Sequence, residues 1–165
     1  MDWHAQEPPA RHPLHATAFD NFELKLVPVF RHFIAAFRGQ GLNAAHRGYD
    51  AASVAFGPAT GLQIAHRFSA TVMGLHQFGK PNLEVHDPLN SQDQHFLTQD
   101  ELLFFEMIHY MRRNATHAAK GAISTLTDGR MDAGFMHEAL TFARDHGVGV
   151  KRQTVPRPKL RLVKA

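Results

Sequence analysis

Two residue pairs, Asp20 with Glu23 and Thr98 with Glu101, have the spacing of a capping box. In that motif an N-cap side chain and an acceptor three residues later satisfy each other's free backbone amides. Both pairs precede apolar residues that recur every three or four positions. That period marks an α-helix with one buried stripe.

After Asp20 the stripe runs Leu26, Val29, Phe30, Phe33, Ile34 and Phe37, and Gly39 and Gly41 stop it. Pro28 interrupts it, removing one donor and crowding the carbonyl of Leu24. Phe22–Leu26 is therefore either the start of a kinked helix or an extended lead-in, since Phe22, Leu24 and Leu26 also alternate with Glu23 and Lys25. A second stripe is Leu42, Ala45, Tyr49, Ala52 and Phe56, with Asn43 as the expected N-cap and Gly57-Pro58 as the stop. Its small residues predict a closely packed neighbour. Pro58 opens a third stripe of Leu62, Ala65, Phe68, Val72, Leu75 and Phe78, closed by Gly79 and Pro81.

After Thr98, the residues Phe104, Ile108, Met111, Ala115, Ala118 and Ala122 share a face. This run, Leu102–Leu126, is one long helix or two broken near Asn114, which would cap the second. Asp128-Gly129 is a turn signal. Met131, Phe135, Ala139 and Phe142 form the last stripe, which ends at His146-Gly147. Outside these segments only Leu160–Val163 has strand character.

The expected fold class is all-α: a compact bundle of five or six helices with a mobile N-terminal arm and a basic C-terminal tail. Residues 1–18, with Pro8, Pro9 and Pro13, are the expected arm; 19–147 form a single helical domain; 148–165 are the tail. A chain of 165 residues with 13 Phe has enough apolar mass to bury a core without a staple. The absence of Cys excludes disulfides, thiolate metal sites and a Cys nucleophile.

Thirteen histidines raise the question of a metal. Glu106 and His109 form an E-x-x-H pair, the spacing that di-iron bundles point inward. Here Glu106, His109, Arg113, His117 and Lys120 lie opposite the Phe104/Ile108/Met111 stripe, so a solvated polar face is expected instead. Residues 51–83 contain no acid to complete a di-iron set. The connection over residues 80–97 is long and polar, and holds His86, Asp87, Asp93 and His95. These four are weak candidates for Zn or Fe, against the plainer reading of a surface loop whose polar residues make turns. Haem ligands, His and Met, are plentiful, but no motif arranges them. No favoured cofactor emerges. The sequence also lacks G-x-S-x-G and a P-loop, and nucleophilic catalysis finds no support.

Charge is the better-defined signal. Lys151, Arg152, Arg157, Lys159, Arg161 and Lys164 lie in the last 15 residues with no acid among them. The remaining 12 bases face 15 acids, so a mildly acidic body carries a basic end. Such an end is a handle for nucleic acid or an acidic protein surface. The chain is thus read as a small non-enzymatic helical binding or regulatory module, with a second copy of itself as a further partner. The alternative is a histidine-based metal or haem protein, sensor or enzyme. A third reading uses the histidines as a pH-dependent charge. No apolar run reaches the length that spans a bilayer, and the first residues lack a basic-then-apolar leader, so a cytoplasmic protein without membrane contact is expected.

Overall fold

A computed structural model describes residues 11–80 and 82–149. Among them are six α-helices and one small two-stranded sheet. The helices are α1 (Asn21–Phe37), α2 (Leu42–Phe56), α3 (Pro58–Phe78), α4 (Gln99–Arg112), α5 (Thr116–Leu126) and α6 (Ala133–Asp145). The strands are β1 (His12–Pro13) and β2 (Phe96–Leu97), antiparallel, with His12 opposite Leu97. The all-α class is thus present. The basic tail lies outside the described residues.

Both capping boxes form. The Asp20 carboxylate accepts from the Glu23 amide while Glu23 accepts from the Asp20 amide, and Thr98 and Glu101 do the same. Phe22–Leu26 is helical, because the box fixes the first turn of α1 upstream of the proline. Pro28 sits inside the helix on its exposed side, where the carbonyl it deprives of a donor can be hydrated. Leu102–Leu126 is two helices. Asn114 does not cap the second. It takes φ 60° and closes α4, a left-handed position that Asn tolerates, and Ala115 precedes α5. Asn43 is not the cap of α2 either: Gly41 holds that place and Asn43 lies in the first turn.

Helix α1 packs on α2 and α3, α3 on α6, and α4 on α5 and α6. Phenylalanines join these layers. Phe30 of α1 stacks on Phe104 of α4 with centroids 4.5 Å apart, and Phe68 of α3 meets Phe142 of α6 at 5.1 Å. The expected stripe of α3 is correct at its centre, but Leu62 and Phe78 at its ends are each half exposed. The close neighbour predicted for α2 is α3. A Cβ on Gly61 would lie 2.3 Å from the Ala52 carbonyl oxygen, so the two backbones touch there and only glycine fits.

The N-terminal segment and the 80–97 connection meet each other. Part of the expected arm, residues 11–17, runs along β2, and the Leu14 amide donates to the His95 carbonyl. The connection is a strap fixed at many points rather than a loose polar loop. Arg31, 4% exposed, donates to both Glu101 carboxylate oxygens at 2.6 and 2.9 Å, and to the carbonyls of Asp93 and Phe96. Glu84 and His86 amides donate to Asp100 and Glu101, and Thr98 donates to the Glu84 carbonyl. One guanidinium thus ties α1, the strap and α4 together.

Candidate functional site

Helix α4 departs from the sequence reading in a way that matters for chemistry. On its expected polar face Glu106 and Arg113 are partly exposed, but His109 is buried. Leu103, Phe104, Phe105, Met107, Ile108, His109 and Arg112 are all buried, so α4 is covered around most of its circumference. His109 is 9% exposed, while His117 and Lys120, on α5, are exposed as expected.

What buries His109 is a carboxylate 86 positions away. Its Nδ1 lies 2.9 Å from Oε2 of Glu23, which is fully buried at the start of α1. Arg112 and Arg113 donate to the other Glu23 oxygen, and both also reach Asp20. Two guanidiniums therefore match two carboxylates at the junction of α1 and α4. The Arg112 guanidinium also lies 4.4 Å from the centroid of the Phe22 ring and donates through Nε to the His146 carbonyl. Burial alone would raise the Asp20 pKa, but the Glu23 amide and the two guanidiniums outweigh it and hold it below the usual carboxylate value.

Two cavities flank this cluster. One, of about 250 Å³, lies between residues 12–19 and α4 and is lined by Glu106, His109 and Tyr110 among others. The E-x-x-H pair thus borders a pocket rather than bulk solvent. The second, of about 520 Å³, lies between the end of α4 and α6. It is lined by Arg112, Asn114, His137, Thr141 and Arg144 with apolar neighbours, and among the described residues no carboxylate contributes to it. The chain leaves α6 at its edge, where the Val148 amide donates to the Arg112 carbonyl at 3.0 Å.

The four strap candidates do not converge. His86 and Asp93 approach, with Nδ1 and Oδ2 3.5 Å apart, and Arg11 lies 3.1 Å from the other Asp93 oxygen. Asp87 accepts from the Leu89 amide, and the His95 side chain is exposed. Among the described residues no group of three or more His, Asp or Glu side chains could hold a metal ion. The six tail cations, Lys151 to Lys164, lie outside the described residues. Comparison of the chain with known families, curated proteins and solved structures returns no match.

His32 on α1 makes a prediction about acid. Burial, together with Arg47, holds its pKa below the usual 6.5, against the pull of Asp87. A histidine with a depressed folded-state pKa takes its proton first in the unfolded chain. Its contribution is whole above 6.5 and is lost as pH falls through the folded pKa. Chemical denaturation across this window should show His32→Gln gaining on the wild type as pH drops. Parallel stability curves would refute it.

Proposed function

We propose that this chain is a non-enzymatic helical binding or regulatory module of the cytoplasm, whose residues Lys151, Arg152, Arg157, Lys159, Arg161 and Lys164 engage a polyanionic partner, nucleic acid or an acidic protein surface. One observation carries the reading. Six cations stand together unopposed at the end of a chain whose other charged residues are in acidic excess. Segregated charge of this kind attracts an oppositely charged surface at long range.

The body's own charges support it. The buried guanidiniums and carboxylates are spent on joining elements: Arg31 with Glu101, and Arg112 and Arg113 with Asp20 and Glu23. The groove beside Val148 is lined by the exposed Arg144, with no carboxylate among its described lining residues, so a polyanion near the tail would meet a further cation there.

The test is binding of a labelled duplex DNA, and separately of an acidic peptide, followed by fluorescence anisotropy. The wild-type chain is compared with a variant in which the six cations are replaced by Gln. Binding by the wild type that the variant loses supports the reading, and the probe that responds identifies the partner class. Equal binding by both chains would end it.

A further inference from the structure

We propose that the pocket between residues 12–19 and α4 is a binding site for a small organic cation, a protonated amine on a compact apolar body. The inference is independent of the basic tail.

The pocket is about 250 Å³, the size for a ligand of few heavy atoms. Its walls are mixed. Phe19 and Leu102 supply apolar surface, and His12, Glu106, His109 and Tyr110 supply polar groups. Among the described residues no Lys or Arg lines it. His12 is committed to Gln99 at 2.8 Å. Glu106 has neither a hydrogen bond nor an ion pair to any described residue, so its carboxylate is a net negative charge at the pocket wall.

The neighbouring histidine is already engaged with a carboxylate of its own. Asp20 and Glu23 are already matched by Arg112 and Arg113. Nδ1 of His109 lies 2.9 Å from Oε2 of Glu23, so that ring nitrogen is committed to the cluster. Glu106 and His109 are three residues apart on α4, so they share a face. Glu106 is therefore the uncommitted carboxylate that the pocket offers to an ammonium group.

The aromatic surroundings favour the same ligand. The His109 ring lies between Phe19, centroids 5.7 Å apart, and Tyr110 at 5.3 Å. Aromatic faces attract cations, and the apolar wall takes the ligand's hydrocarbon part. An anion would be repelled by Glu106, and a neutral ligand would leave that charge unpaired. Among the described residues no group of three or more His, Asp or Glu side chains here could hold a bare metal ion.

Benzylamine, benzyl alcohol and phenylacetate are matched probes of one shape and three charges. Each is titrated into the full-length chain at neutral pH, with amide chemical shifts recorded by NMR. Benzylamine should produce saturable shifts in residues 12–19 and 102–110. It should bind at least about tenfold more tightly than benzyl alcohol, as one charge-assisted contact in a partly closed site implies. Glu106→Gln should remove that advantage while leaving the melting temperature unchanged, since Glu106 has no hydrogen-bond or ion-pair partner among the described residues. Ala18→Leu, which adds bulk at the pocket lining without altering charge, should weaken benzylamine as well. Equal affinity for amine and alcohol, wild-type binding by Glu106→Gln, or the absence of saturable shifts in these segments would each overturn the proposal.

Discussion

Replacement of Glu23 by Ala is expected to destabilise the chain by about 3–5 kcal/mol, the range for breaking a buried ion pair from one side. Four groups lose a partner at once: the Asp20 amide, His109, Arg112 and Arg113. Arg112 is 8% exposed and cannot turn to water without leaving the His146 carbonyl. Asp20 remains as a counter-charge, but it now balances two guanidiniums alone. The capping box of α1 is broken by the same change, which costs a further fraction of this range. For a chain of this size the melting temperature should fall by roughly 6–20 °C, read by calorimetry. Glu23→Gln keeps the shape and an acceptor oxygen, and should lie between the wild type and Ala. A loss below about 1 kcal/mol for Glu23→Ala would mean that the cluster is solvated and contributes little.

The second large effect concerns Arg31. Arg31→Met leaves the fully buried Glu101 without its cation and frees the carbonyls of Asp93 and Phe96. A loss of about 3–5 kcal/mol is expected again. The cause can be isolated, because removing both charges is cheaper than removing one. Arg31→Met combined with Glu101→Gln should recover part of the loss, although the strap still lacks its donor. Hydrogen exchange adds a local readout. The amides of Leu14, Glu84 and His86, which hold the N-terminal segment and the strap, should lose more protection in Arg31→Met than the core of α3 does. Uniform loss across the chain would show that the strap is not a separate unit.

These two clusters explain what the sequence could and could not reveal. The capping boxes, the helix stops and most stripes were legible because they depend on residues three or four positions apart. Asn114 was recognised as a break, but whether it ends one helix or caps the next depends on its backbone angle, which residue type alone leaves open. The environment of His109 was misread. A single apolar stripe on α4 leaves the remainder of the helix to water, whereas His109 is buried. A usable signal was present, since Leu102-Leu-Phe-Phe105 and Met107-Ile108 place apolar residues on more than one face, the mark of a helix covered all round. Its partner Glu23 could not be inferred, because that pairing depends on how α1 crosses α4. The strap shows the same limit. A long polar connection reads as solvent-facing until Arg31, 62 and 65 positions from the carbonyls it binds, is placed beneath it.

The central proposal is a polyanion held by the tail cations, and salt dependence tests it most directly. If nucleic acid is the partner and all six cations sit on phosphates, the logarithm of the affinity for duplex DNA should fall against the logarithm of salt with a slope of about −5. Between 50 and 200 mM salt that is a loss of roughly a thousandfold. The variant with Gln at the six positions should lose the slope together with the affinity. A wild-type slope near zero, or a slope that survives in the variant, would contradict the account.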